Sequence, residues 1–466
     1  MSSNWSVKKL GDLVTFLSGG TPSKSNKDYW NGEIPWISAS SMQSTRYHDS
    51  DLRVTSLGST NGTRLVPAET VLLLVRGGAL HNKIPVGITT REVTFNQDVK
   101  ALVPKSEDIT PYYLLAWLIS SRELLLGKVE NTGIGAGKLD TKILQDLDVP
   151  VPPKAELLRL ELFSKALDDK IILNQNINHT LEQMAQALFK SWFVDFEPVK
   201  AKMAVLEAGG SQEDATLAAM AAISGKDAYA LAVFEREHPE QYAELKTTAE
   251  LFPSAMQDSE LGEIPEGWSI KPLDGIATYQ NGLALQKFRP ENENDFLPVV
   301  KIAQLKKGFS DGEEKASPNI KPECIIDNGD VVFSWSGSLM VDIWCGGKAA
   351  LNQHLFKVSS TKYPKWLYYK YTAHHLIEFQ RIAEAKAVTM GHIKREHLSQ
   401  AKCLMPSSET VHAFTPFFEP VLNKVISNRL ETRKLENIRG TLLPKLLSGE
   451  ITLPEAEQAV SEVENV

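Results

Sequence analysis

Two long stretches of the chain place apolar side chains along one narrow stripe. In the first stretch, residues 152–193, the stripe consists of Leu160, Phe163, Leu167, Ile171, Ile177, Leu181, Met184 and Leu188. This spacing predicts a helix of about 37 residues, roughly 55 Å long, with a stripe as narrow as a coiled-coil seam. Because such a helix cannot bury its stripe alone, we expect a second helix to cover it.

The second stretch begins at Pro406 and repeats the first at a fixed offset of 254 residues. Its apolar positions match those of the first stretch, and Lys170 and Asn174 are matched by the identical Lys424 and Asn428. Agreement at one offset indicates an internal duplication. We expect the two helices to pair antiparallel about a pseudo-two-fold axis. Asn174 and Asn428 should then meet near the centre and set the register, as polar seam residues can.

The regions that precede the two helices also match one another. In the first region, β-type runs at 34–38, 71–75, 85–88 and 99–103 are separated by Gly, Ser, Asn and Pro, and Thr110 and Pro111 open a predicted helix that reaches about residue 126. The second region repeats anchors such as Trp5 and Trp268 at offsets that drift between 253 and 263. Shared anchors with different loops predict one scaffold that presents two recognition surfaces.

The predicted fold class is therefore α+β, with two similar mixed α/β domains related by pseudo-two-fold symmetry and joined by two long antiparallel coiled-coil helices. The expected bounds are 1–151 for the first domain, 152–197 for the central helix, 198–262 for an acidic helical insertion or extended linker, 263–405 for the second domain, 406–448 for the C-terminal helix and 449–466 for a short polar tail.

Charge along the chain is uneven. The net charge is −8, but residues 198–262 carry 5 basic against 11 acidic side chains, whereas residues 1–150 carry 16 against 15 and residues 263–406 carry 18 against 16. The two domains are thus neutral to slightly basic, which permits nucleic-acid binding without requiring it. Three scattered cysteines, no secretory leader and no apolar run of about 18 residues predict a cytoplasmic protein without a membrane segment.

Motifs for catalysis are missing from the sequence. The run 133–138 resembles a phosphate loop, but Leu139 stands where Ser or Thr would bind magnesium. His374 and His375 fall in a predicted helix and are expected at its surface, and Asp195 and Glu197 lie beside aromatic residues at a helix end. We expect no catalytic residue, metal or cofactor in this chain. A fused methyltransferase or nuclease and a structural adaptor remain alternatives.

Several strings resemble the specificity subunit of type I restriction–modification enzymes. They are the loop SGGTPS at 18–23, the strand-then-glycine runs at 70–77 and 330–337, the Asn-Gln pairs Asn96-Gln97 and Asn352-Gln353, and the strings at 188–198, 261–268 and 442–451. The resemblance covers nearly the whole chain. One departure is the run 280–284, which lacks the Gly-Gly-Thr-Pro form, so the first loop of the second domain is expected to be shaped differently.

The resemblance implies a non-catalytic reader of double-stranded DNA. Each domain would be a target recognition domain for one half of a bipartite, asymmetric site. The helices would set the spacing and dock two methyltransferase subunits, through which restriction/translocase subunits join for adenine methylation or ATP-dependent cleavage. S-adenosylmethionine, ATP and Mg²⁺ would be used by those partner subunits. A methylation-only complex and a coiled-coil protein adaptor are the alternatives.

Candidate DNA-binding residues lie in loops after the matched strands, where polar and basic side chains could reach phosphates and base edges. In the first domain they are Thr21, Ser23, Arg76, His81, Asn82, Lys83, Lys138 and Lys142, and in the second domain Ser336, Ser338, Lys348, His392, Lys394 and Arg395. Because the Asn-Gln pairs occur in both halves, they cannot explain different half-sites, and we assign them to scaffold hydrogen bonds.

A cluster of aromatic residues ends the central helix. Trp192, Phe193 and Phe196 are expected to pack in a core, with a docking patch for another subunit as the alternative. Together with Leu446 and Leu447 near the end of the second helix, they are the candidate subunit interface.

Overall fold

A computed structural model describes residues 5–131, 135–310, 312–385 and 391–464, with side chains as far as residue 458. It divides into two compact units, Met1–Asn174 with Glu431–Val466, and Gln175–Leu430. Each unit therefore contains one half of each long helix, whereas the sequence predicted boundaries at the helix ends. The division falls inside the helices because each half packs into the core of the unit in which it lies.

The first unit contains the first mixed domain. Its strands are β1 (Ser6–Lys9), β2 (Val14–Ser18), β3 (Trp30–Ile37), β4 (Arg46–Tyr47), β5 (Arg53–Val54), β6 (Arg64–Val66), β7 (Val71–Leu74), β8 (Arg76–Gly77), β9 (Val86–Thr89), β10 (Val93–Phe95), β11 (Val99–Pro104), β12 (Glu130–Asn131), β13 (Gly137–Lys138) and β14 (Asp148–Val151). Its helices are α1 (Leu10–Leu13), α2 (Ser56–Ser59), α3 (Pro111–Ser120), α4 (Arg122–Leu126), α5 (Thr141–Gln145) and the first half of α6 (Lys154–Phe193).

Two larger sheets form most of this domain, in the orders β2-β11-β7-β9-β4 and β5-β3-β10-β6, beside the small sheets β1-β14 and β12-β13-β8. The strands predicted from the four β-type runs are confirmed, and every residue of β7 is buried, as expected for a continuous apolar run. Thr110 caps α3 as predicted, because its Oγ1 accepts from the backbone N–H of Tyr113 at 3.1 Å. The predicted single helix is broken between Ser120 and Arg122, where α3 ends and α4 begins.

The second unit starts with a helical segment and continues with the second mixed domain. Its helices are α7 (Glu197–Glu207), α8 (Gln212–Ser224), α9 (Ala228–Glu237), α10 (Pro239–Glu250), α11 (Leu273–Ile276), α12 (Ile302–Lys307), α13 (Lys365–Ala385), α14 (Arg395–Gln400) and the first half of α15 (Ser408–Leu447). Its strands are β15 (Met256–Ser259), β16 (Gly262–Pro265), β17 (Ser269–Pro272), β18 (Thr278–Asn281), β19 (Leu297–Val300), β20 (Lys315–Ala316), β21 (Ile325–Ile326), β22 (Val331–Ser334), β23 (Met340–Ile343), β24 (Ala349–Leu351), β25 (Leu355–Ser359) and β26 (Lys402–Met405).

The second domain repeats the strand order of the first. Its sheets run β18-β25-β22-β23 and β20-β19-β24-β21. The central trio β18-β25-β22 is antiparallel, as is β2-β11-β7, and β19 pairs parallel with β24, as β3 does with β10. The predicted duplication and the α+β fold class, with two similar mixed domains and two long helices, are therefore confirmed.

One close backbone approach is conserved between the two domains despite different loop sequences. The N–H of Gly20 donates to the carbonyl of Phe95 at 2.9 Å, and the N–H of Leu283 donates to the carbonyl of Leu351 at the same distance. A Cβ on the preceding glycine, Gly19 or Gly282, would lie 2.2 Å from the same carbonyl oxygen. Gly282 thus supplies the glycine that the approach requires, although the Gly-Gly-Thr-Pro form is absent from the second domain.

Residues 197–250 fold into the four helices α7–α10 rather than into an extended linker. Three of them, α8, α9 and α10, surround a small core of Ala219, Met220, Leu231, Leu245 and Ala249. Among the described residues, no single helix is long and apolar enough to span a membrane; α8 and α9 satisfy that test only as a pair, with an 86° bend between them.

Within each unit, the halves of α6 and α15 pair antiparallel. In the first unit Asp168 contacts Arg439 and Asn174 contacts Glu431; in the second unit Asn178 contacts Asn428, and Trp192 contacts Phe414. Positions alternating by three and four, from Leu157 to Trp192 and from Val411 to Leu446, are buried or half-buried. This is the predicted coiled-coil periodicity.

One residue of the predicted seam needs correction. Met184 is 59% exposed, because Leu181 and Ala185 occupy the inward positions in that turn. Asn174 and Asn428 are each buried on the seam, but the partner of Asn174 is Glu431 at 2.8 Å and the partner of Asn428 is Asn178 at 2.9 Å. A direct meeting of Asn174 with Asn428 stays a prediction.

The predicted polar tail forms a final helix, α16 (Leu453–Glu464), in the first unit. Its Ala456 is buried in the same core as Leu443, and Leu453 packs against that core. The Glu455 carboxylate accepts from the backbone N–H of Thr452 at 2.6 Å, which caps the start of the helix. Apolar residues of this tail therefore pack against the core of the first unit, which the polar composition of the tail did not predict.

Candidate nucleic-acid interface

Arg76 and Lys138 face one another across a two-residue strand pair in the first domain. Strand β8 pairs antiparallel with β13, so that Arg76 lies opposite Lys138 and Gly77 opposite Gly137. The pair is continued by the N–H of Leu139, which donates to the carbonyl of Val75 at 2.8 Å. The chain can turn directly after Arg76 because Gly77 has a φ of +146°, which few other residues adopt. Two residues far apart in sequence are thus brought together.

These two residues line a cleft of about 490 Å³ that is rich in basic side chains. Its lining includes Arg76, Gln97, Asp98, Lys100, Lys138, Asp140 and Lys142. Asp140 caps α5, and its pKa is lowered by the backbone N–H of Lys142 and by the side chain of Lys138, whose Nζ lies 3.1 Å away. The carboxylate therefore stays ionised at neutral pH and holds Lys138 in place.

A second cleft, of about 560 Å³, adjoins the first at Gln97. It is lined by Thr21, Lys24, Trp36, Ser38, Ala39, Ser40, Asn96 and Gln97. The Thr21 hydroxyl donates to Oε1 of Gln97 at 2.7 Å. The predicted residues Thr21, Arg76, Lys138 and Lys142 therefore lie along two connected clefts, while Ser23 is exposed nearby and bonds to Ser25.

The two members of the first Asn-Gln pair have different environments. Asn96 is buried, and its Oδ1 accepts from the backbone N–H of Asp98 at 3.1 Å, so a scaffold role fits this residue. Asn352 makes the same contact with the N–H of His354 at 3.3 Å. Gln97, by contrast, is exposed in both clefts, and its Oε1 accepts from the Thr21 hydroxyl at 2.7 Å, so its assignment to a scaffold hydrogen bond stays a prediction.

The loop after β8 carries the remaining candidates of the first domain. His81, Asn82 and Lys83 are all exposed. A ring nitrogen of His81 lies 3.0 Å from the carbonyl oxygen of Gly135, and Lys83 donates to Oε1 of Gln43 at 3.1 Å. This loop therefore flanks the strand pair that holds Arg76.

In the second domain, Ser336 and His392 form the equivalent bridge. The N–H of Ile393 donates to the carbonyl of Trp335 at 3.0 Å, as Leu139 does to Val75, and Gly337 also has a positive φ. The side chains differ from those of the first domain. Ser336 is buried, and its Oγ lies 3.0 Å from Nδ1 of His354, so it is not a free surface hydroxyl.

His354 was missed by the sequence analysis, although it directly follows the second Asn-Gln pair. His354 occupies the position that Asp98 has in the first domain. The carbonyl of Asp98 accepts from the backbone N–H of Val75, and the carbonyl of His354 accepts from the backbone N–H of Trp335. Its ring centroid lies 5.8 Å from that of Trp335. The equivalent surface of the second domain is therefore aromatic.

The other candidates of the second domain differ in the contacts that their side chains make. Ser338 accepts from Nζ of Lys306, a residue of α12 that the sequence analysis did not select, at 2.8 Å. Lys394 is exposed beside Glu396, and Arg395 donates to the carbonyl of Tyr279 at 3.2 Å and lies over the ring of Phe356. Arg395 thus helps to hold α14 against β18.

Lys348 does not belong with these residues, which corrects its assignment. Strand β23 runs antiparallel to β22, so that its last residue, Ile343, pairs with Val331, the first residue of β22. The segment after β23 stays at that end, where the N–H of Gly347 donates to Oδ1 of Asn328 at 2.8 Å. Lys348 is therefore exposed near the start of β22, whereas Ser336 follows its end.

The five candidate interface residues are buried within this chain, so their side chains are not available to another subunit. Trp192 and Phe193 pack in the core of the second unit, where the Trp192 ring lies 4.7 Å from that of Phe414 and 5.3 Å from that of Phe252, and Phe196 packs on Trp268. Leu446 and Leu447 are buried in the core of the first unit. Core packing, the first interpretation of the aromatic cluster, fits the structure.

The described residues contain no group of three or more His, Cys, Asp or Glu side chains that could hold a metal ion. His375 is half-buried in α13, with a ring nitrogen 3.1 Å from the carbonyl oxygen of Lys402. His374 is exposed as predicted. The run 133–138 lies partly outside the described residues.

Comparison with known proteins gives consistent matches. The family model described as "Type I restriction modification DNA specificity domain" matches residues 2–183 and 265–438. The HindI specificity subunit of a type I restriction enzyme from Haemophilus influenzae is 29% identical over 362 residues, which cover 75% of this chain and 79% of that protein. The MjaIX specificity subunit from Methanocaldococcus jannaschii is 24% identical over 466 residues, which cover 97% and 94%.

Among solved structures, the S subunit of a type I restriction–modification system from M. genitalium superposes with a TM-score of 0.49 at 11% identity, covering 95% of this chain and 96% of that one. The family model covers more than half of the chain, in two separate matches that correspond to its two halves. The chain therefore belongs to the type I restriction–modification specificity subunits, with two recognition domains of that family.

Proposed function

We propose that each recognition domain reads one half of a bipartite, asymmetric DNA site, and that the chain itself catalyses no reaction. The observation that carries this proposal is the strand bridge shared by the two domains. The first domain has Arg76 opposite Lys138, and the second has Ser336 opposite His392 in the same backbone arrangement. A shared backbone arrangement suits two different half-sites when it carries different side chains, here an exposed Arg76 in one domain and a buried Ser336 with an exposed His392 in the other.

The chemistry of the first domain supports DNA as the ligand. Lys24, Lys100, Lys138 and Lys142 surround the two clefts, and lysine ammonium groups suit phosphate oxygens. The Arg76 guanidinium supplies donors, and the Gln97 amide supplies both donors and an acceptor, which suit base edges in the major groove. The net acidity of the chain does not oppose this, because much of it lies in the 198–262 segment.

For the helices, we propose that they set the distance between the half-sites and dock two methyltransferase subunits, through which restriction/translocase subunits join. Because the aromatic cluster is buried, the outer face of α6 is the better candidate surface in the first unit. Leu158, Leu162 and Leu173 are 47%, 67% and 51% exposed there, and their spacings of 4 and 11 residues place them on one face of the helix. Exposed leucines in such a row are typical of an interaction surface.

The proposed complex carries out adenine methylation or ATP-dependent DNA cleavage in the cytoplasm. S-adenosylmethionine would be used by the methyltransferase subunits, and ATP and Mg²⁺ by the restriction subunit. The chain described here supplies the choice of DNA sequence.

The test is to express the chain with its methyltransferase partner in a host that lacks adenine methylation, and to map methylated adenines across the genome. We expect a motif with two specified halves of different sequence, separated by an unspecified spacer. Methylation of the same sites by the partner alone, or a motif with a single specified block, would contradict the proposal.

A further inference from the structure

The guanidinium of Arg76 differs from the neighbouring basic groups in having no partner. Among the described residues, none forms a hydrogen bond or an ion pair with it, and Arg76 is exposed at the cleft. Lys138 is held by Asp140 at 3.1 Å, and Lys100 donates to the Ser18 hydroxyl at 2.5 Å. All the donors of Arg76 are therefore free for a ligand, while two of the lysines beside it are already engaged.

From this geometry we infer that Arg76 reads a guanine in the half-site bound by the first domain, and that this guanine is a determinant of the target sequence. The inference rests on the proposed DNA-reading function. Arginine presents two parallel N–H donors that match O6 and N7 of guanine in the major groove. The exposed Lys142 at the same cleft is suited to a backbone phosphate, which would fix the register of the duplex against Arg76.

The backbone around Arg76 restricts where its side chain can go. It lies on a strand that is paired with β13 on one side, and Gly77 turns the chain directly afterwards. A contact made from a paired strand is better defined in position than one made from a free loop, because the backbone cannot follow a displaced ligand. This favours a base edge, whose donor and acceptor positions are fixed, over a non-specific phosphate contact.

The second domain cannot read the same base in the same way. Ser336, at the position of Arg76, is buried and bonded to Nδ1 of His354. Trp335 replaces Val75, and its indole Nε1 is buried without a hydrogen-bond partner in the described structure. With no arginine at this bridge, the half-site of the second domain should not contain a guanine read from this position. The two bridges thus account for part of the asymmetry of the target.

The test uses the full chain co-expressed with its methyltransferase partner, with methylated adenines mapped for the wild type, Arg76→Ala and Arg76→Gln. We expect a guanine at one position of one half-site in the wild type. Arg76→Ala should reduce the preference for that guanine by about tenfold or more, and leave the other half-site unchanged. Arg76→Gln should move the preference at the same position towards adenine, the base that glutamine pairs with.

The matched control is Arg91→Ala. Arg91 is also exposed in the first domain and donates to the carbonyl of Glu33. It follows β9, whose end pairs with the start of β7, whereas Arg76 follows the end of β7. Its substitution should leave the motif unchanged. Retention of the second half-site in all variants reports that the chain is folded and assembled.

Two outcomes would overturn the inference while the proposed function stands. One is a bipartite motif that Arg76→Ala leaves unaltered. The other is a uniform loss of methylation at all sites by Arg76→Ala, with a smaller dependence of DNA binding on salt, which is the behaviour of a phosphate contact. If the wild type methylates no bipartite motif, the result would instead contradict the proposed function itself.

Discussion

The carboxylate of Asp168 on α6 accepts from Nη1 of Arg439 on α15 at 2.9 Å, in the interior of the first unit. The same carboxylate accepts from the Thr45 hydroxyl at 2.9 Å and forms an ion pair with Arg46, both in the first recognition domain. Asp168 is 4% exposed. One buried carboxylate thus joins the two helices to each other and to the domain.

Replacing Asp168 with Ala should destabilise the first unit by about 3–5 kcal/mol, because Arg46 and Arg439 would remain partly buried without their shared partner. Asp169→Ala is the matched control: Asp169 is exposed and pairs with the other nitrogen of Arg46, so its loss should cost roughly 0–1 kcal/mol. Urea unfolding of the full chain measures both. An Asp168→Ala variant as stable as Asp169→Ala would contradict this role.

Asn428 and Asn178 should be energetically coupled in the second unit. Asn428 is 1% exposed and donates to Oδ1 of Asn178 at 2.9 Å. Asn428→Leu should cost about 1–3 kcal/mol, because Asn178 loses its donor while it stays buried. The double variant with Asn178→Leu should recover part of that loss, since an apolar seam then replaces the polar pair.

A double-mutant cycle of unfolding free energies measures this coupling. Strictly additive single and double variants would show that the two asparagines act independently.

Gly19→Ala should disturb the first recognition domain. Its new Cβ would lie 2.2 Å from the carbonyl oxygen of Phe95 and 2.5 Å from that of Asn96, and two backbone segments would have to separate. We expect a loss of about 1–3 kcal/mol and loss of recognition of one half-site only. Gly78→Ala is the control for stability, because nothing lies within 4 Å of a Cβ at that position. Equal unfolding midpoints for the two variants would refute the packing explanation.

Acid should weaken the second domain through His375. Burial, and secondarily the charge of His374, lowers the pKa of His375 from 6.5 to about 4. The folded state therefore favours the neutral ring: its contribution to stability is complete above pH 6.5 and is lost as the pH falls towards 4. In a His375→Asn variant, the unfolding midpoint should depend less on pH across that interval.

The same pKa can be measured directly by NMR titration of the histidine ring protons. A His375 ring that titrates near 6.5 in the folded chain would remove the basis for this pH effect.

A large part of this architecture could be predicted from the order of residues alone. The three-and-four spacing of apolar side chains marks a helix seam wherever it occurs, and one constant offset between two such seams identifies a duplication. The apolar run at β7 similarly predicts a buried strand, because its side chains are shielded on both faces. These signals are local, so they need no knowledge of which segments meet.

The site depended on pairings between distant segments. Arg76 meets Lys138, and Ser336 meets His392, only because short strands from separate loops form a bridge. The exposure of Gln97 beside the buried Asn96, and the burial of Trp192 under Phe252 and Phe414, follow from the same kind of contact.

The repeated helices, the shared anchors of the two domains and the resemblance to a family could all be read from the order of residues, because periodicity and internal repetition are properties of that order. The folded backbone, in contrast, is needed to tell which polar side chains are free at a cleft and which hold the scaffold. Whether Arg76 is available to DNA and Ser336 is not depends on neighbours, such as His354, that the folded backbone brings into reach.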